Sequence, residues 1–142
     1  MIKLQKNGRL TDVYLVDSSV WIQTFKKNHA LQIESVVDLE TVITCLPIIQ
    51  EVLQGFRDES AFRIAKEAMF SFPIVESPLV AEVFTEAVHL YRSARRQGLT
   101  IRSGVDCLIA TCALRNGLTL LHKDRDYGLL ARISDLDVQE VG

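Results

Sequence analysis

The sequence predicts a three-layer α/β/α sandwich around a central, mostly parallel sheet of about five strands. Three observations predict it. Short β-prone runs alternate with longer stretches of helical periodicity, the crossovers that parallel neighbours require. Acids stand just after several apolar runs, where open α/β sheets place their ligands. The 142 residues, 48% hydrophobic and 24% charged, suit a single domain spanning 1–142 with one buried core.

Met1 to Asp12 is polar and basic, with Lys3, Lys6 and Arg9 and no apolar core behind them. It reads as a polar N-terminal extension without an assigned function, and not as a secretory leader. Val13 to Val16 is the first β-prone run and ends at Asp17; Ser18-Ser19 offers an N-cap to an amphipathic stretch toward Lys27. Thr41 to Thr44 is a second strand. Pro47 sits where an early helical position tolerates it, opening a helix that Gly55 closes. A polar turn at Asp58 to Ser60 leads to a further helical pattern through Phe70, and Phe72 to Val75 is a third, weaker strand whose Pro73 marks a start or an edge. Val83, Ala87, Leu90, Tyr91 and Ala94 recur at helical spacing in the longest helix, with Gly98 as its stop. Ser103 caps a helix that ends at Asn116-Gly117, the strand Leu118 to Leu121 follows, and a short helix near Tyr127 to Ile133 precedes a terminal strand around Val138 to Val141.

Composition excludes several classes. Hydrophobicity is high and the formal net charge is only −2, the reverse of a disordered chain. No apolar run approaches the roughly 20 residues of a membrane span, so the expectation is a soluble, cytoplasmic protein without a membrane partner. Cys45, Cys107 and Cys112 are in no scaffold or zinc spacing and read as buried free thiols.

The acids come next. Asp17 ends the first apolar run, Asp124 follows Leu120-Leu121-His122-Lys123, and Asp126 is two further on. Glu51 lies in the helix after the second strand and Asp106 one turn into the helix before the fourth. Singly each has a structural reading: Asp17 as a turn or cap residue, Asp106 in a capping box opened by Ser103, Asp124 or Asp126 as the cap of the last helix. Glu51 falls about 60° outside its helix's apolar stripe, as a solvated flank residue would. In combination they would repel one another unless protons or cations intervened. Clustered oxygen ligands suit a hard cation such as Mg²⁺, and such a site does phosphoryl chemistry: the metal activates a water, orients a phosphodiester and neutralises the departing oxygen.

Four segments carry a resemblance: Val16-Asp17-Ser18-Ser19-Val20-Trp21-Ile22; Pro47-Ile48-Ile49-Gln50-Glu51-Val52-Leu53-Gln54-Gly55; Ile101-Arg102-Ser103-Gly104-Val105-Asp106-Cys107-Leu108-Ile109-Ala110; and Leu121-His122-Lys123-Asp124-Arg125-Asp126-Tyr127. In this order they resemble the signature blocks of the PIN-domain ribonucleases, specifically the VapC-type toxins of bacterial toxin–antitoxin pairs. The resemblance spans Tyr14 to about Ala131. It implies a PIN-like fold and an endoribonuclease that hydrolyses RNA with Mg²⁺, or Mn²⁺, held by the catalytic acids Asp17, Glu51, Asp106 and Asp124. Ser19 matches the small polar residue beside the first acid, and Asp126 would add outer or direct support. A cognate antitoxin partner and a homodimer are implied too.

RNA contact needs local positive charge. Arg102, at a helix start, is the leading candidate for a substrate phosphate, with Lys123 and Arg125 flanking Asp124; Arg92, Arg95 and Arg96 read as a solvated helix end. Trp21 and Tyr127 read as core, and His29, His89 and His122 as structural. If divalent metal compensates the four ligand acids, the net charge of −2 becomes +2. Two alternatives remain. A carboxylate-based phosphotransfer or phosphatase domain would want a second Asp where Ser19 stands, or an acidic pair that Met1 to Asp12 lacks. A catalytically silent PIN-like scaffold would not be expected to keep all four acids.

Overall fold

The structure is a computed structural model, and it describes residues 4–6, 9–26 and 31–142. Two short strands come first, β1 (Leu4–Lys6) and β2 (Arg9–Thr11), paired antiparallel as a separate sheet with Lys6 opposite Arg9. The expected extension thus holds a strand pair. Its sequence signal is Asn7-Gly8 between the two strands, a dipeptide favoured in two-residue hairpin loops, which composition alone conceals. Lys27 and His29 lie outside the described residues.

The main chain of elements is β3 (Tyr14–Val16), α1 (Ser18–Thr24), β4 (Val42–Cys45), α2 (Leu46–Leu53), α3 (Glu59–Phe70), β5 (Ile74–Val75), α4 (Ala81–Arg96), α5 (Gly104–Asn116), β6 (Thr119–His122), α6 (Arg125–Ala131) and β7 (Asp137–Glu140). Five strands form one parallel sheet in the order β5-β4-β3-β6-β7. Every residue of β4 and β6 is buried. Successive strand side chains point to opposite faces, so both faces of the sheet are covered, as the predicted three-layer sandwich requires. The edge strand β7 is mostly exposed and carries Asp137 and Glu140, charges that discourage edge-to-edge pairing.

The helix ends follow the local chemistry. Pro47 stands in the first turn of α2, Ser103 accepts a hydrogen bond from the Val105 N–H at the start of α5, and Gly117 ends α5 at φ 62°, a left-handed conformation that favours glycine. One expected cap is corrected: the Asp17 carboxylate, not Ser18 or Ser19, caps α1 by accepting from the Ser19 N–H.

Helix α5 has the greatest bearing on the site. Cys107, Ile109, Ala110, Cys112 and Ala113 are all buried, and the helix packs against α2, α4, α6 and β6. A helix surrounded in this way carries even its polar first turn inside, which is why Asp106 is only 7% exposed. Below it Leu15, Val16, Ile48, Leu120, Leu121 and Leu130 are fully buried. Truncating one such leucine to alanine typically costs about 2–5 kcal/mol. Cys45, Cys107 and Cys112 are free and buried, as expected.

Candidate active site

The chain enters the sheet at β3, winds outward through β4 to β5, then crosses back to β6 and β7 on the other side of β3. Strand order therefore reverses between β3 and β6, and open α/β sheets form their ligand crevice beyond the strand ends at such a point. A crevice of about 360 Å³ lies there, lined by Asp17, Ser18, Ser19, Ile22, Glu51, Arg102, Ser103, Asp106, Asp124 and Asp126. The four acids singled out by sequence, with Asp126, meet in one place.

Each acid arrives by a different route. Asp17 follows β3, and its N–H continues the ladder to the Leu121 carbonyl at 2.9 Å. Its Oδ2 accepts from the Ser19 N–H and hydroxyl, and its Oδ1 accepts from the Tyr127 hydroxyl at 2.7 Å. Ser19 in turn accepts from the Lys123 N–H at 3.0 Å, joining the ends of β3 and β6. Glu51 comes from α2, and the Ser18 hydroxyl donates to its Oε1 at 2.9 Å. Asp106 comes from the first turn of α5, with the Tyr127 hydroxyl 3.3 Å from its Oδ1. Asp124 caps α6 by accepting from the Asp126 N–H, so the structural and the functional placement of that acid coincide.

The acids are poorly compensated. Asp17 and Asp126 are 3% and 0% exposed. One oxygen each of Asp106, Asp124 and Asp126 lies within 4.8 Å of the others. Burial, then the charges of Asp124 and Asp17, push the Asp106 carboxyl up to about 7. Glu51 is raised as well, mainly by burial, then by Asp17 and Asp124. Asp126 Oδ1 is buried without a hydrogen-bond partner. An all-oxygen donor set, an acid raised to about 7 by burial and then by its neighbours, and a buried carboxylate oxygen with no hydrogen bond and the Arg125 Nε at 3.7 Å fit a hard divalent cation.

The basic residues divide. The Arg102 guanidinium is in the crevice, 2.9 Å from Asp124 and 3.3 Å from Asp126. Lys123 and Arg125 are exposed beside Asp124 but outside the lining. Trp21 is core, stacked on Phe25 and tilted against Phe72. Tyr127 is core too, yet its phenol reaches two of the acids, a contact that sequence reasoning missed; its place three residues after Asp124, in the first turn of α6, is the available signal. Ser18 was missed likewise. His122 is buried, and its Nδ1 accepts from the Asp124 N–H at 3.1 Å, so it sets the backbone at that acid; burial lowers its pKa and keeps it neutral.

The PIN domain family profile matches residues 14–135, which covers all of these acids. The chain belongs to the PIN-domain family. Among curated proteins it is 32% identical over 127 residues to Ribonuclease VapC11 of Mycobacterium tuberculosis, covering 86% of this chain and 94% of that one. VapC ribonuclease Mb1587 of Mycobacterium bovis matches with the same identity and coverage, which places the chain among the VapC ribonucleases of the family. Among solved structures, DNA-bound VapBC from Salmonella typhimurium matches with a TM-score of 0.71 at 15% identity, over 92% of this chain and 98% of that one. At that identity it attests the PIN fold alone. Among the described residues, no helix is long and apolar enough to cross a membrane.

Proposed function

We propose that this PIN-domain chain is a Mg²⁺-dependent endoribonuclease, with Mn²⁺ as a substitute ion, and the toxic component of a toxin–antitoxin pair. The observation that carries the reading is the convergence of Asp17, Glu51, Asp106 and Asp124 on one crevice at the sheet's switch point. The ribonuclease names of relatives 32% identical over most of the chain support the reaction.

Asp17, Glu51, Asp106 and Asp124 would hold the ion, with Asp126 beside them. A bound divalent ion supplies an activated water and charge neutralisation at the departing oxygen. The chain's own residues set the frame for this. Ser19 and Tyr127 fix both oxygens of Asp17, and Ser18 turns Glu51 inward. The Asp106 carboxyl, raised to about 7 chiefly by burial, would release its proton to bind a cation as a carboxylate. Arg102, Lys123 and Arg125 offer positive charge to the RNA backbone, and Ser19, whose hydroxyl bonds Asp17 and the Lys123 N–H, lines the crevice where the substrate would lie.

The test incubates purified protein with total cellular RNA, with and without EDTA, beside D17N. Cleavage that needs metal and disappears in D17N supports the site; metal-independent cleavage, or equal cleavage by the mutant, overturns it. The reading extends to a cytoplasmic single-domain protein, to a homodimer and to a small cognate antitoxin. The structural neighbour VapBC-5 of Mycobacterium tuberculosis, described as a member of the VapBC family of toxin-antitoxin systems, supports the antitoxin, and exposed Phe84 and Val88 on α4 offer apolar surface for self-association. Toxicity on expression, relieved by a co-purifying small protein, is the expected outcome.

A further inference from the structure

Arg102 has a relation to the acids that its suggested role at substrate phosphate does not explain. Its guanidinium lies against Asp124 and Asp126: Nη2 donates to Asp124 Oδ1 at 2.9 Å, and Nε donates to Asp126 Oδ2 at 3.3 Å. The same Asp126 oxygen also accepts from the Arg102 backbone N–H at 2.9 Å. Asp124 and Asp126 are two of the three acids whose oxygens approach within 4.8 Å of one another. Arg102 therefore occupies part of the carboxylate surface that a divalent ion would use. Its side chain is 56% exposed, so it has an open route to solvent, whereas Asp126 is fully buried and cannot follow it.

We propose that Arg102 is a resident counter-cation exchanged for the metal: its guanidinium holds Asp124 and Asp126 in the metal-free protein, and divalent ion binding releases it toward the phosphate of the RNA. This rests on the metal-site reading above. The physical basis is charge balance. A guanidinium lowers the mutual repulsion of the acids while no ion is present. A dication between the same carboxylates removes the negative charge that holds the guanidinium and repels it directly. The backbone N–H of Arg102 keeps its bond to Asp126 throughout, so the released side chain stays anchored at the crevice rim. Metal loading and phosphate capture are then linked through one residue. The protein gains positive charge at the rim only when the ion is in place.

The exchange is read by nuclear magnetic resonance of the arginine side-chain Nε–H groups in EDTA-treated protein, with the Arg102 signal assigned by its loss in R102Q. A dispersed Arg102 signal in EDTA that moves to the position of a free, solvent-exposed arginine on Mg²⁺ addition is the expected result. In parallel, Mn²⁺ binding followed by electron paramagnetic resonance of the free ion should be about two- to fivefold tighter for R102Q than for wild type, the scale of one partly exposed ion pair. R102Q keeps the backbone bond to Asp126 and is expected to fold. An Arg102 signal that stays in place at saturating Mg²⁺, or Mn²⁺ binding that weakens in R102Q, overturns the exchange. D17N separates the two levels: if wild type binds Mn²⁺, D17N does not, and the Arg102 signal is unmoved, the exchange alone is wrong. If wild type binds no Mn²⁺, the metal site itself is wrong and the exchange falls with it.

Discussion

Two groups of carboxylates gather on this molecule, and they differ in what balances them. On the outer side of α4 and α5, Arg115 lies 3.1 Å from Glu76, 3.7 Å from Glu82 and 2.8 Å from Glu86, and the Asn116 side chain also donates to Glu76. The side chains of Glu82 and Glu86 are 70% and 43% exposed. Glu76 is more enclosed, at 15% beside an Arg115 that is 26% exposed, but it takes hydrogen bonds from both Arg115 and Asn116; the pairs to the exposed Glu82 and Glu86 contribute about 0–1 kcal/mol each. In the crevice, five acids from four segments converge, Asp17, Asp106 and Asp126 are buried, and Arg102 contacts only Asp124 and Asp126. A cluster of acids is thus not in itself a site. Burial, convergence at a strand-order reversal and a shortage of positive charge make one.

The largest expected separation between the two groups is in RNA cleavage. Losing a residue that merely orients a metal ligand typically costs about 10–100-fold, so D17N, which removes a proposed ligand, is expected to lose about 100-fold or more in kcat/KM. Y127F should come next. It removes the phenol that fixes Asp17 while leaving the ring in the core, and a loss of about tenfold in activity or Mn²⁺ affinity is expected, with circular dichroism showing an intact fold.

A smaller effect sharpens the comparison through stability. Asp106 binds its proton more tightly in the folded chain than in the unfolded one, because its carboxyl is raised to about 7. The folded state therefore gains from acid pH, and that gain is lost as pH rises from the ordinary Asp range, about 4, through about 7. In EDTA the Tm is expected to fall between pH 5 and pH 8. D106N should flatten that slope and raise the Tm at pH 8 by about 3–6 °C, the scale on which 1 kcal/mol moves a domain of this size. Added Mg²⁺ should stabilise wild type more at pH 8 than at pH 5, since the ion competes with that proton. The smallest effect belongs to the surface group: R115Q should leave cleavage within about twofold of wild type and lower the Tm slightly.

Most of the fold was legible because its local signals agree. Pro47, Ser103, Gly98 and Gly117 stand at the helix ends they predict, and the apolar runs became strands shifted by at most a residue or two. The strand pair before β3 was hidden because its short segments, Leu4-Gln5-Lys6 and Arg9-Leu10-Thr11, contain no apolar run. At the site, Asp17, Asp124 and Asp126 were legible as residues beside strand ends and Asp106 as one near a helix start, whereas Glu51, within α2, read equally as a solvated flank residue. Their neighbours were not legible. Tyr127 and Ser18 touch acids distant in sequence, and the Arg102 pairing with Asp124 and Asp126 depends on how α5 and α6 lie together, which no spacing along the chain encodes. Reading Asp17 and Asp124 as either caps or site residues posed a choice that the structure removes, since both are caps that also line the crevice.

The most direct test of the contrast between the two acid groups is paramagnetic broadening by Mn²⁺ in the amide spectrum of isotope-labelled protein. At sub-stoichiometric Mn²⁺, broadening is predicted at the amides of Asp17, Ser19, Asp106 and Asp124, with those of Glu76, Glu82 and Glu86 unaffected. Broadening centred on the Arg115 group, or spread evenly over the surface acids, would contradict the assignment of the crevice as the metal site.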